Sequence, residues 1–449
     1  MAFDSLVRGG RVVRASGVEE LDIGIEGGRI VELAPEISRG RARETIDARG
    51  LHVFPGVLDA HVHFNDPGRD SWEGVPTGSA ALAAGGGTLF IDMPLNSSPP
   101  TLDAASFDRK LAACTGRTFA DFALWGGLTP DNIDELEPLA ARGVVGFKAF
   151  MSASGIDDFP SCDDESLYRG MRVAARLGLP VAVHAENNGM TSALASAARA
   201  AGRTSVRDYL DSRPIAAEAE AVSRALAFAE DAGCALHVVH TSSARGVRLI
   251  RHAVEAGLCD ATCETCPHYL LLSDEDIEKL GARAKCSPPL RPPAERELLV
   301  QEVAAGHVDT IGSDHSPSPS DMKQGTDFFK VWGGISGAQA TLRALLTLDL
   351  PPALIARLVS DNVARRFRLP GKGGVRVGAD ADLAFIDISV STHVTEDELL
   401  DRHRLSPYVG RTLRGSVRRT MLRGETIFLD GKVGGKPKGR HLRPVGTEK

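Results

Sequence analysis

Apolar positions along this chain fall into short runs, and both the spacing inside the runs and the spacers between them change twice. In the first fifty residues, brief β-rich runs (residues 5–7, 11–13, 21–25 and 30–33) are separated by glycine-rich turns. Gly9-Gly10 and Gly27-Gly28 are expected hairpin turns, because positive φ is cheap only for glycine. The same style returns near the C-terminus at residues 383–388, 417–422 and 426–429. Neither end alone can bury much core. Together they predict a small β-sandwich built from residues 1–52 and 371–449, with residues 434–449 as a loosely held tail.

Between these ends lie eight apolar runs: residues 52–61, 88–93, 119–125, 144–150, 180–184, 236–240, 260–264 and 308–312. Most are followed by an alanine-rich pattern of helical period, clearest at 167–177, 218–232 and 338–346. Strands alternating with helices predict parallel pairing, and eight such units predict closure. The expected fold class is α/β, with a (β/α)8 barrel over residues 53–370 inserted into the sandwich.

The chain has 449 residues, ample for a barrel plus a smaller domain. Its net charge of −7 gives no basic patch, which argues against nucleic acid or an anionic membrane as a partner. No apolar run reaches the length of a membrane span, and no secretory signal is visible at residues 1–10. A cytoplasmic location is expected. Seven scattered cysteines fit reduced thiols better than a disulfide framework. Cys263 and Cys266 form a CxxC, but no second ligand pair accompanies it, so both read as buried strand-end thiols.

Chemistry concentrates at the ends of the runs. His61 and His63 stand two apart on the first barrel strand, preceded by Asp59, so both rings point to one face and can share an ion. His184, His240 and Asp314 end the fifth, sixth and eighth runs. A barrel gathers the C-terminal ends of its strands around one mouth, so these distant residues are expected to meet. Lys148, ending the fourth run, is the odd member. An ammonium cannot coordinate a cation, and an unpaired buried lysine charge is costly. Two neighbouring cations and low polarity favour the neutral amine, which can add CO2 to form an anionic carbamate able to bridge both metals. The plain alternative is a strand-end lysine paired with an acid. His237, three residues before His240, is expected to face the helices. His315 is read as a neighbour of the site, while His52, His252, His268, His307, His393, His403 and His441 lack the strand-end position.

This arrangement resembles the cyclic amidohydrolases of the amidohydrolase superfamily, which includes dihydroorotases, dihydropyrimidinases, hydantoinases and allantoinases. The similarity spans essentially the whole chain. Trp72-Glu73-Gly74, Asp92-Met93-Pro94-Leu95-Asn96, Lys285-Cys286-Ser287-Pro288-Pro289 and Trp332-Gly333-Gly334 are most similar to the allantoinase branch. The resemblance implies that His61, His63 and Asp314 hold one divalent metal, and that His184 and His240 hold the other. Carboxylated Lys148 would bridge them. Zinc is expected, with manganese, cobalt and iron as alternatives. Asp314 would carry the proton from water to the departing ring nitrogen. Main-chain substrate contacts at Ser287, Gly333 and Gly334 are implied, with Asn65 and Asn96 as further candidates. Where a dihydroorotase places an arginine and an asparagine to hold its substrate carboxylate, this chain has Asn65 and Leu95. A neutral small-molecule substrate is therefore expected, allantoin first and another cyclic ureide as the alternative. A non-catalytic scaffold of this family would lack the ligands kept here. A homotetramer is expected by family analogy alone.

Overall fold

The computed structural model describes residues 2–38 and 41–446. Strand Ala2–Arg14 pairs antiparallel with Gly17–Glu26, which pairs in turn with Arg29–Ala34. Gly27 and Gly28 form the expected hairpin turn, with φ of 58° and 78°. Gly9-Gly10 does not. The strand runs through it, and its register shifts between Val7 and Gly10, so the pair makes a β-bulge. The chain reverses instead at Ala15-Ser16.

The terminal segments build one nine-stranded sheet. Its centre joins the chain ends: His52–Pro55 lies parallel to Ala2–Arg14 and antiparallel to Leu383–His393. Val12, Ile23, Ile25, Val53, Leu383, Phe385 and Met421 form its buried core, as expected of a sandwich shared by both ends. The apolar run 52–61 is thus two strands, not one. Gly56 separates them at a close approach, where a Cβ would lie 2.1 Å from Thr88 Oγ1.

The barrel strands are Val57–Val62, Gly87–Asp92, Asp121–Leu124, Phe147–Phe150, Val181–His184, Leu236–Val238, Ala261–Thr265 and Thr310–Ile311. Every pairing among them is parallel. The third strand continues past Trp125 as Gly126–Gly127, which pairs with the fourth. A bridge between Val62 and His315 closes the ring. The fold is therefore a (β/α)8 barrel carrying a β-sandwich. Leu58, Ala60, Leu89, Ile91, Ala123, Trp125 and Ala182 belong to one buried cluster along these strands. Two of the expected helices appear as Asp164–Leu177 and Ile215–Ala232, each ended by a left-handed glycine, Gly178 and Gly233. The third splits into a 3-10 turn, Ala338–Ala340, and helix Thr341–Thr347.

The tail is held more firmly than its composition suggests. Leu442 N donates to Phe122 O at 2.7 Å, and Phe122 N donates to Arg440 O at 2.9 Å, so residues 439–442 run along the third barrel strand. Beside it, Asp121, Asp380 and Asp382 converge closely enough to suggest a cation site. Lys372 Nζ already fills that place, at 2.6, 2.9 and 2.7 Å from the three carboxylates. This buried cluster ties the barrel to the sandwich. All seven cysteines are free thiols, Cys263 and Cys266 fully buried. Among the described residues no helix is long and apolar enough to cross a membrane.

Candidate active site

The structure brings the strand-end residues together. His61, Lys148 and His184 sit on their strands, whereas His63, His240 and Asp314 lie in the turns just beyond. His240 and Asp314 adopt positive φ, 39° and 47°, as do Asn65 at 66° and Asn96 at 68°. Such backbone is strained for a side-chain-bearing residue by about 1–3 kcal/mol and gathers at functional sites. His61 Nε2 and His63 Nε2 lie 3.2 and 3.3 Å from the same Asp314 oxygen. His184 Nδ1 lies 3.1 Å from His240 Nε2, and the His61 and His240 rings are 5.3 Å apart.

Buried carboxylates behind the histidines fix how the rings are presented. Glu264 Oε1 lies 2.8 Å from His61 Nδ1, and Glu186 Oε2 lies 2.8 Å from His184 Nε2. A carboxylate accepts, so His61 Nδ1 and His184 Nε2 carry the protons. Each ring then turns a lone pair inward, through His61 Nε2 and His184 Nδ1. Burial alone would raise both glutamates. Arg213 and His184 overcome this for Glu186, and His237 and His61 for Glu264, holding each near 2. Burial pushes His63, His184 and His240 toward the neutral, coordinating form. Asp314 is the reverse: burial works against its charge, but His61 and His63, when either carries a proton toward it, hold the carboxyl well below the usual range. Lone pairs and an anionic oxygen thus converge at the barrel mouth. That donor set fits divalent cations.

Lys148 completes the set. It is fully buried, its Nζ has no hydrogen-bond partner among the described residues, and burial lowers its amine to about 7 despite Asp314 and Glu264. The alternative of a lysine paired with an acid is not what the structure contains. Gly312 makes the packing feasible, since a Cβ there would lie 2.8 Å from both Glu264 and His61 Cβ.

A cavity of about 310 Å³ opens over these groups. Of the expected substrate contacts, Asn96, Ser287, Gly333 and Gly334 line it. Asn65 does not; it is buried, with neither side-chain amide atom hydrogen-bonded among the described residues. Gly334 has φ 114°, and a Cβ would lie 2.0 Å from Ser316 O, so only glycine lets the loop pass.

His237 departs from expectation. It does not face the helices: its ring stacks 6.4 Å from Trp125, and its Nε2 lies 3.5 Å from Glu264 Oε2. Two-residue alternation holds only while the backbone stays extended, and the left-handed turn at His240 breaks it. Both histidines therefore point inward. His315 is a neighbour as expected, its carbonyl accepting from His63 N at 2.7 Å. His307 and His403 make their contacts elsewhere, with Glu302 and Ser71. His268 is buried, and burial lowers it to about 4. Glu186, Arg213, Tyr209 and Lys285 were not singled out from sequence. Only Glu264 carried a signal, as the last residue of the seventh run.

Known proteins resemble this chain over nearly its whole length. The amidohydrolase family model matches residues 52–427. An allantoinase of Rubrobacter xylanophilus is 56% identical over 99% of this chain and 98% of its own length. An allantoinase of Deinococcus radiodurans is 53% identical over 99% of each chain. Among solved structures, an L-hydantoinase (dihydropyrimidinase) from Arthrobacter aurescens superimposes with a TM-score of 0.95 at 33% identity, covering 98% of this chain and 100% of its own.

Proposed function

The chain belongs to the amidohydrolase family, and from that premise we propose that it opens the hydantoin ring of allantoin by hydrolysis to give allantoate. One observation carries the chemistry: a buried Lys148 amine, without a hydrogen-bond partner among the described residues, stands among four inward-facing histidines and Asp314. The allantoinases matched at 56% and 53% identity support the substrate. The likeness to an L-hydantoinase at 33% favours a second reading, hydrolysis of another neutral cyclic ureide.

We assign His61, His63 and Asp314 to one divalent metal, His184 and His240 to a second, and a Lys148 carbamate to both; zinc suits the set, as do manganese, cobalt and iron. When bound, the metals supply Lewis acidity and a hydroxide nucleophile near neutral pH. The chain's own residues do the rest. Asp314 is ionised at any working pH, so it can take a proton and return it to the leaving ring nitrogen, which departs poorly as an anion. Glu264 and Glu186 hold His61 and His184 in the coordinating tautomer. Ser287, Gly333, Gly334 and Asn96 offer hydrogen bonds to the ring and its ureido arm, and Asn65 backs them. The barrel, residues 53–370, carries the chemistry. Residues 1–52 and 371–449 support it. A small-molecule substrate, a cytoplasmic location and a homotetramer complete the proposal.

The test is a panel of allantoin, hydantoin, dihydrouracil and dihydroorotate with metal-reconstituted protein. Allantoin should give the highest kcat/KM, because a polar pocket left unpaired by a plainer ring loses binding energy. Dihydrouracil or dihydroorotate outrunning allantoin would overturn the substrate.

A further inference from the structure

Lys285 is a buried lysine, 5% exposed, that makes no ion pair among the described residues. Its Nζ donates instead to two carbonyls of one loop, Phe328 O at 2.6 Å and Val331 O. Its own carbonyl accepts from Gly334 N at 2.7 Å. The lysine therefore grips the loop 328–334 at three points. The Tyr209 ring lies 4.6 Å from Nζ and covers it. Every residue of that loop from Phe329 to Gly334 lines the cavity that also contains His61, His184 and Asp314.

Burying a lysine amine is costly unless its N–H donors are satisfied, and a loop carbonyl is a poorer partner than a carboxylate. A methionine would fill the same volume without that cost. What the lysine adds is direction. With two carbonyls turned toward Nζ and the Gly334 amide turned toward Lys285 O, and with Trp332 N donating to Met322 O at 2.9 Å and Gly334 O accepting from Lys323 Nζ at 2.8 Å, the loop is held in one arrangement along the cavity. The loop that carries Lys285 also presents Ser287, whose Oγ lies 2.6 Å from Tyr209 OH.

We propose that Lys285 is a positioning residue that latches the loop 328–334 as a wall of the substrate cavity and thereby sets discrimination for the substituent on the ring. This rests on the allantoin reading for the identity of that substituent, a ureido group. A bare hydantoin ring lacks the arm that reaches a wall beyond the metal ligands, so it depends less on the latch. The base of the loop has separate anchors: Ser316 N to Ile335 O at 2.9 Å, Phe328 N to Thr204 O at 2.9 Å, and the Trp72–Trp332 ring contact at 4.9 Å. Losing the lysine should therefore loosen the wall without unfolding the barrel.

Lys285→Met tests this in the full-length, metal-loaded protein. Bound metal should be unchanged, KM for allantoin should rise about tenfold or more, and kcat should stay within about threefold. The preference for allantoin over hydantoin should fall at least about fivefold, and protease cleavage inside the loop should accelerate. Lys285→Arg, which keeps a cation with several donors, should recover part of the preference. Lys285→Gln, too short to span both carbonyls, carries the test if the methionine variant is insoluble. Unchanged KM, preference and loop cleavage in these variants would overturn the latch. So would a fall in kcat and bound metal with KM unmoved. If the unmodified protein does not open allantoin, the function reading fails, and loop cleavage still decides whether Lys285 holds the loop.

Discussion

The buried amine of Lys148 makes a quantitative prediction about how the site is assembled. Carbamate formation joins the neutral amine nitrogen to CO2 and releases one proton, so its rate follows the fraction of lysine that is uncharged. An ordinary lysine, at 10.5, is only about 0.3% neutral at pH 8. Burial lowers Lys148 to about 7, with Asp314 and Glu264 opposing. Raising the pH above 7 therefore fills the reactive form, to about 90% at pH 8, roughly 300-fold more than in the ordinary case. The experiment starts from protein stripped of metal and CO2, then adds zinc with dissolved CO2 held at one concentration across pH 6 to 9. Recovery should rise about tenfold per unit below pH 7 and level off above about pH 8. A carbamate resonance from 13C-labelled CO2 should grow in parallel, independent of turnover. Lys148→Ala should show no resonance and almost no activity, and short carboxylic acids should restore part of it. A recovery rate still climbing tenfold per unit at pH 9, full recovery without CO2, or full activity in untreated Lys148→Ala would refute the reasoning.

Asp314→Asn should fold and retain much of the metal while losing turnover, because an amide cannot accept the proton; near-normal kcat would place the base elsewhere. Glu264→Gln should weaken metal binding about 10- to 100-fold in a chelator competition, since it frees the His61 tautomer, and unchanged affinity would refute that role. His237→Asn acts only through Glu264 and should weaken binding less than His240→Asn; equal losses would make His237 a ligand. Lys372→Met leaves Asp121, Asp380 and Asp382 facing one another in the interior. It should cost about 3–5 kcal/mol in denaturant unfolding, and a loss under 1 kcal/mol would show that the cluster relaxes.

The strand-end residues were legible because barrel topology converts their spacing into proximity, whatever lies between them. His61, Lys148, His184, His240 and Asp314 were found this way, before any contact was known. What stayed hidden depends on backbone that leaves the regular repeat. His237 was placed on the wrong face because two-residue alternation was carried across the left-handed turn at His240. Gly9-Gly10 looked like a turn, although glycine serves a bulge as readily. The tail looked loose because its anchors are backbone hydrogen bonds to Phe122, which leave no mark in side-chain pattern. Glu186 and Arg213 form a buried pair behind His184 from separate segments, and no local period connects them.

The same departure from regularity explains why the candidate ligands can meet at all. Of the nine non-glycine residues with positive φ among the described residues, four are Asn65, Asn96, His240 and Asp314. On an ideal strand, His237 and His240 would point to opposite faces, and Asp314 would follow its strand past the mouth instead of turning back toward His61. Asparagine, aspartate and histidine tolerate the left-handed region better than branched residues do. The sequence therefore places at these bends residue types that can both bear the strain and supply the chemistry. Gly312 is the counterpart: by lacking a Cβ it lets Glu264 reach His61. A ligand set spread over five strands thus needs two kinds of backbone permission, strained turns that aim the side chains and a bare position that lets the supporting carboxylate close behind them.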